Sequence, residues 1–505
     1  MGSSSNGGVS DRLTLKTKVA FGVGSGAEAI AGAAIGSYTL LYYNQILQVP
    51  AHWVSFAIAA SLLLDAVTEP IIGSLSDRTR SRLGRRHPWM FAAPIPIALM
   101  LWSIYNPPAI LDHLGLTIWA GVTVSLLRQV MAIYHTPHLA LGGELSPNYT
   151  ERSKVMAYNS LFTWVGAAGT SWVALTFFFP ATPEYPRGLL NPEPWPRFAT
   201  AMALSALAIL LASAWFTRDR IPFLPKPDPK TPKFSVGEFF TDVRRAMTNV
   251  NYVWLLIGYF FLSMMIGLRG GLHLYTSIYF WDLSSEELRW FIIGSFTGFA
   301  TAFLFAARMH GRFDKKQTIL WSLVGFAAIP AVPVVLGLAG VMSHETPGLV
   351  WILIGFSALS SAAMSILQIS VMSALADIAD ENELKHGVRQ EGILYSTRSL
   401  AAKLDQAIGT LLAGLVLKFI AFPVGAKGKA DVAPDVLFNL VLWDGVIAAI
   451  PGLIALLAYA RYRITQESHA ATQAALRERR AEAARPPEAK AAAAAPAEAA
   501  PALAK

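Results

Sequence analysis

Long apolar stretches separated by short charged loops run through almost the whole chain. They fall at about residues 19–48, 53–76, 88–106, 114–142, 153–179 and 199–217, and again at 250–280, 287–308, 317–342, 349–377, 391–421 and 435–462. A helix needs roughly 20 apolar residues to cross the hydrocarbon of a bilayer. A helix also satisfies its own backbone hydrogen bonds where no water can, so the pattern predicts an all-α, polytopic membrane protein with twelve spans. Six spans, a polar stretch at 218–249 and six more spans predict two six-helix bundles, 19–217 and 250–463. Residues 1–18 form a short leading segment and 464–505 a tail.

The loops orient these spans. DRTRSRLGRRH, after the second span, holds five arginines, whereas NPPAILDHLG, after the third, holds no Lys or Arg. Lys and Arg gather on the cytoplasmic side, which places the first loop, the central linker, RMHGRFDKK and the Arg-rich tail there. Both termini are therefore expected in the cytoplasm, with the protein in the cell (inner) membrane. The linker opens with the proline-broken RDRIPFLPKPDPKTPK and continues as SVGEFFTDVRRAMTN, which suits the membrane surface. From about Thr465 the chain reduces to Ala, Glu, Arg and Pro, which predicts a mostly disordered tail. The second span runs into GSLSDRTRSRLGRR and the eighth into ARMHGRFDKK, an echo that points to two parallel halves of the major facilitator architecture.

Composition removes most other classes. Of 505 residues 54% are hydrophobic and only 15% charged, and a mean hydropathy of +0.43 leaves no room for a large soluble domain. Met1 to Ala20 lacks the apolar core and cleavage site of a signal peptide, so the first span is expected to remain. Cysteine is absent, which excludes disulfides, thiolate zinc sites and a cysteine nucleophile. The net charge of +8 resides in particular loops, so topology accounts for it better than nucleic acid does. The Gly-rich GVGSGAEAIAGAAIG of the first span follows no strand and reads as a helix-packing surface rather than a phosphate loop. Trp53, Trp89, Trp102 and Trp281 lie near span ends, where aromatic belts form. No enzyme and no resident cofactor are expected.

Ionisable groups inside spans are costly unless they face a cavity or a partner, so each is a candidate site residue. In LLLDAVTEPIIG, Asp65, Thr68 and Glu69 share one helical face. Two carboxylates so close repel unless a cation or proton lies between them. Pro70 also deprives the Ala66 carbonyl of its helical partner and offers one more oxygen. The face therefore suits a monovalent cation, sodium or a proton; the alternative is a structural pair with a basic residue of a neighbouring helix. Glu28, Arg128, His135, Arg269, His273, Lys403, Asp405 and Asp444 are the other intramembrane charges. Of these, Lys403 could neutralise the acidic pair when the cation leaves.

Two segments carry a family resemblance. DAVTEPIIGSLSDRTRSRLGRRHPW and ADIADENELKHGVRQEGILYSTRSLAAKL resemble diagnostic stretches of the glycoside, pentoside and hexuronide cation symporter family of the major facilitator superfamily. The hydrophobic architecture matches over roughly residues 15–463. The resemblance implies that Asp65 and Glu69 occupy the family's two cation-binding acidic positions and Lys403 its lysine of span eleven. It implies an inner gate built from Asp377, Asp380, Glu383, Arg389 and Glu391, facing Arg78, Arg80, Arg82 and Arg85. The sugar site departs from the family pattern. An acid before the span-four proline and a Trp after it are replaced around Pro137 by His135 and Leu139, and an arginine of span five by Ser160. Glu28 stands in for a first-span acid with a one-residue shift.

The reading that follows is a secondary active transporter, in which cation entry drives symport of a sugar, glycoside or uronide by alternating access. Asp65, Glu69 and Thr68 would hold the cation, and Glu28, Arg128, His135, Arg269 and Lys403 would line or couple to the solute cavity. Its partners are then a small solute, a monovalent cation and the bilayer, without nucleic acid, in a monomeric transport unit. One alternative keeps the fold and carries a lysophospholipid or other amphipathic solute. A non-transporting receptor signalling through the tail is the other.

Overall fold

A computed structural model describes residues 13–146, 148–224, 246–386 and 391–484, together with positions 237, 241 and 244. Among the described residues there is helix and no strand. Eleven helices are long and apolar enough to cross a membrane. They are α1 (Leu15–Ile46), α2 (Ala51–Arg78), α3 (His87–Ile104), α4 (His113–Glu144), α5 (Thr150–Phe178), α6 (Trp195–Phe223), α7 (Val250–Phe280), α8 (Ser285–His310), α9 (Lys315–Leu338), α10 (Leu349–Lys385) and α12 (Pro434–Ala460). The twelfth, α11 (Glu391–Phe419), is long enough, but its apolar part is Gln406–Phe419. In its first half Lys403 is turned toward α2.

Local chemistry starts these helices. Asp112 accepts from the Gly115 amide at 2.7 Å, and Asn148 and Asn249 accept from the first-turn amides of α5 and α7. These are side-chain caps for helix-end donors that lipid cannot satisfy. Pro94 divides α3 into two helical pieces.

The packing repeats in the two halves. α1 packs on α5 and α6 as α7 packs on α11 and α12, while α2 pairs with α4 as α8 pairs with α10. Likewise α3 lies against α4 and α6, and α9 against α10 and α12. The Gly-rich face of α1 gives close packing as expected. A Cβ on Gly26 would come within 3.0 Å of the Phe162 carbonyl, and one on Gly166 within 2.2 Å of the Gly26 carbonyl. Between the halves, α2 runs along α11, and a Cβ on Gly414 would overlap Ser55.

We distinguish the basic end, which carries the loops at 79–86 and 310–316, from the opposite end. At the opposite end the halves are tied by polar side chains. The Tyr275 hydroxyl donates to Asn44 Oδ1 at 2.9 Å, Gln45 donates to the Pro423 carbonyl at 3.2 Å, and Arg187 Nε donates to Asp282 at 3.0 Å. Trp281, expected in an aromatic belt, is instead buried at this end beside Leu283.

The tail needs a correction. Residues Gln466–Ala484 form a helix, α13, that packs on α10. Ala, Glu, Gln and Arg are strong helix formers, and a core of its own is unnecessary because α10 supplies the partner. His469 and Gln473 reach Asp380 at 3.2 and 2.6 Å, and Arg479 donates to the Leu384 carbonyl at 3.1 Å. The remainder of the tail, 485–505, the first twelve residues and most of the linker lie outside the described residues.

Candidate functional site

The acidic pair on α2 meets a cation of the other half. Lys403 Nζ lies 2.8 Å from Asp65 Oδ2 and 2.6 Å from Glu69 Oε1; Asp65 is buried, and Lys403 and Glu69 are half-buried. Four-residue spacing turns both carboxylates to α11, and the close approach of α2 and α11 brings the ammonium between them. Thr68 does not join this group. Its hydroxyl donates to the Leu64 carbonyl of its own helix at 2.8 Å, as a helical Thr commonly does.

Asp65 and Glu69 open into a cavity of about 380 Å³ between α1, α2, α4 and α5, closed on one side by Gln406 of α11. Glu28, Arg128 and His135 all line it. Glu28 Oε2 lies 2.6 Å from His135 Nδ1, and Glu28 Oε1 lies 3.4 Å from His138 Nδ1. The far nitrogen of His138 is 2.9 Å from the Phe21 carbonyl. A carbonyl only accepts, so His138 Nε2 carries a proton, and its Nδ1 is the nitrogen turned to the carboxylate. Arg128 Nε donates to Ser61 Oγ at 3.1 Å, one turn from Asp65. Ser25 and Asn159 are hydrogen-bonded across α1 and α5 in the same wall.

Arg269 belongs elsewhere. It is buried in the C-terminal half, where Nη1 donates to the Phe326 carbonyl at 2.8 Å and Nη2 to the Ala327 and Gly445 carbonyls at 2.8 and 3.2 Å. It lines a second cavity, with His273 and Asp444, that shares no residue with the first. The expectation that Glu28, Arg128, His135, Arg269 and Lys403 surround one space therefore divides. Glu28, Arg128 and His135 line the first cavity, Lys403 closes on its acidic pair, and Arg269 clamps α7 to α9 and α12.

At the basic end the gate residues sort by half. Arg85 and Arg86 both reach Glu144 Oε1, at 2.9 and 2.7 Å, and Arg86 also holds Asp77 at 2.5 Å. Arg78 is half-buried, and Arg80 and Arg82 are exposed. In the other half Lys315 Nζ lies 2.7 Å from both oxygens of Asp377, and His469 of α13 lies 3.3 Å from Asp377 and 3.2 Å from Asp380. Glu383 is half-buried beside them. Arg389 lies outside the described residues, as does the side chain of Glu391. Sequence reasoning passed over Arg86, Glu144, Lys315 and His138. Arg86 alone among its loop's five arginines is buried, which a run of like residues cannot reveal.

Two parallel six-helix bundles with a charged cavity beside their seam are the architecture of a major facilitator-type transporter. The chain belongs to the MFS/sugar transport protein family, whose sequence profile matches residues 20–466. It is similar to the putative glycoside/cation symporter YagG of Escherichia coli strain K12, at 24% identity over 429 residues, covering 82% of this chain and 85% of that one. It is also similar to the sphingosine-1-phosphate transporter MFSD2B of Mus musculus, 24% identical and covering 88% of each chain. Lactose permease of Leuconostoc lactis is 23% identical, with 91% of this chain and 71% of that one covered. In fold it resembles the crystal structure of a D-xylose-proton symporter, with a TM-score of 0.61 at 14% identity over 90% of this chain and 98% of that one. These relatives agree with the resemblance to the glycoside, pentoside and hexuronide cation symporters. The protein is a multi-pass membrane transporter and not an enzyme.

Proposed function

We propose that the chain couples entry of a monovalent cation, sodium or a proton, to symport of a sugar, glycoside or uronide by alternating access of its two halves. The observation that carries the reading is the Lys403 ammonium held between Asp65 and Glu69. One positive charge there relieves the repulsion of two neighbouring carboxylates, and a sodium ion or a proton would do the same. Ammonium and cation therefore compete for one place. Because the ammonium comes from α11 and the carboxylates from α2, cation binding would release the seam between the halves. Binding is thus linked to the rocking motion that moves solute.

Thr68 would contribute its hydroxyl oxygen, whose lone pairs remain available while its proton is given to Leu64. Glu28, Arg128 and His135 would contact the solute in the first cavity, and Arg269 would hold the C-terminal half in shape. The gate would be formed at the basic end by Arg78, Arg80, Arg82 and Arg85 with Asp377, Asp380, Glu383, Arg389 and Glu391. That end would face the cytoplasm of a cell (inner) membrane, together with both termini, in a monomeric transport unit. The likeness to the sphingosine-1-phosphate transporter supports a second reading, an amphipathic solute, which competition by lysolipid against sugar separates.

The test is thermal stabilisation of purified protein by sodium, lithium or protons, with Asp65→Asn and Glu69→Gln alongside. Stabilisation by one ion that disappears in both variants is the expected result. An ion response that persists in both variants, or no response to any ion, would remove the coupling site from this pair.

A further inference from the structure

The second cavity, of about 290 Å³, is enclosed by α7, α8, α9, α10 and α12 of the C-terminal half. Arg269 and Asp444 in its wall are 8% and 7% exposed. The two Nη atoms of Arg269 are committed to backbone carbonyls, yet its Nε is buried without a hydrogen-bond partner. Asp444 makes no ion pair among the described residues. The basic groups whose charge reaches it are His273 and Arg269, and the Thr276 hydroxyl stands within hydrogen-bonding reach of it. Buried polar groups are normally matched, and a carboxylate at membrane depth most of all. Asp444 stands on the π-helical turn Leu442–Val446, and Thr276 and Ser277 on the π-helical turn Thr276–Phe280. Such turns recur at functional sites because they re-aim side chains.

The rest of the wall is chemically specific. Ser357, Ser360 and Ser361 line it from α10, and Phe291, Phe326 and Phe356 add ring faces. A carboxylate solute would meet Asp444 and an ammonium would meet Arg269, whereas these two charges together cancel. Hydroxyls can donate to Asp444 and exchange hydrogen bonds with the three serines. Gly270 adjoins the space, and a Cβ built there meets nothing within 4 Å.

We propose that this cavity is a second solute site, taking a neutral, hydroxyl-rich ring whose hydroxyls donate to Asp444 and pair with the serines of α10 while its carbon face lies on the phenylalanines. Aromatic side chains, which the lining of the first cavity lacks, are assembled here beside a carboxylate and a guanidinium. The proposal is independent of which ion drives transport.

Full-length protein is labelled with diazirine-bearing alkyl glucoside, galactoside, xyloside and glucuronide, with the free sugar as competitor, and cross-linked peptides are mapped by mass spectrometry. Competed labelling by a neutral probe on α7–α10 or α12 is expected. It should fall roughly tenfold in Asp444→Asn, the value of one hydrogen bond to a charged group. Gly270→Leu, which fills open space, should abolish it while leaving the unfolding temperature within a few degrees of the parent. Competed labelling confined to α1, α2, α4 and α5 overturns the proposal, as does labelling that survives both substitutions or is absent with every probe. Glucuronide labelling as strong as glucoside labelling overturns the neutral assignment. None of these results depends on Asp65 or Glu69, so failure here is distinct from failure of the coupling reading.

Discussion

The cavities of the two halves lie against equivalent first helices, α1 and α7, yet they handle charge in opposite ways. In the N-terminal half, Glu28, Asp65 and Glu69 face basic side chains that are separate and replaceable, and one of these, Lys403, comes from the other half. In the C-terminal half, Arg269 spends its Nη donors on carbonyls of α9 and α12, and Asp444 makes no ion pair among the described residues. A charge tied to backbone is part of the scaffold, because removing it strands several acceptors at once. A charge tied to one flexible side chain can be exchanged for an ion. Under the proposed coupling, the contrast would separate a half that holds its shape from one whose charges exchange with an ion.

The largest effect expected from this contrast is on Arg269→Leu, which removes three hydrogen bonds to backbone carbonyls of α9 and α12. A loss of roughly 3 kcal/mol or more is expected, read as a large fall in the thermal unfolding midpoint in detergent. Arg269→Lys should recover only part, since one ammonium cannot fork to three acceptors. A midpoint close to the parent in Arg269→Leu would break the distinction.

Lys403→Ala comes next, and its sign is diagnostic. Without the competing ammonium, Asp65 and Glu69 repel each other and hold a cation or proton more tightly, by about tenfold for 1.4 kcal/mol of lost pairing. Half-saturation by the coupling ion should move down, while uptake falls because the link from α2 to α11 is gone. Weaker ion binding in this variant would show that the ammonium and the ion do not compete.

Glu28→Gln should act more mildly, because the amide that replaces the carboxylate keeps an oxygen beside His135 and His138. A change of about 1 kcal/mol is expected, measured as a severalfold change in solute half-saturation with folding intact. Equal losses of stability in Glu28→Gln and Arg269→Leu would erase the difference between the halves. Smallest of all, Asp380→Asn should loosen α13, which His469 and Gln473 hold at its surface. Faster hydrogen exchange over residues 466–484, with little change elsewhere, is the expected outcome. Unchanged exchange there would mean that apolar contacts with α10 hold the helix.

The basic ends extend the same comparison. Asp77, Arg85, Arg86 and Glu144 close on one another within the N-terminal half. Lys315 and Asp377 form the counterpart in the C-terminal half, completed from outside the bundle by His469 of α13. The sequence echo between the two loops shows the shared framework but not this added arm.

The spans, their division into two sixes and the Asp65 and Glu69 pair could be read from residues alone. Lipid sorts side chains by averages over about 20 residues, and helical geometry aligns residues four apart wherever the helix goes. Which charges meet could not be read, because partners such as Arg86 and Glu144 or Lys403 and Asp65 lie far apart in the chain. Helix packing alone selects Arg86 from a run of arginines, sends Arg269 into a different cavity from Arg128, and gives an Ala-rich tail a surface on which to stay helical. The sequence by itself determined that this protein lives in a membrane and where its costly charges lie. Tertiary structure decided which of those charges are bound to backbone and which are paired with one another, because that depends on what each guanidinium, ammonium or carboxylate finds within hydrogen-bonding distance once the helices have packed.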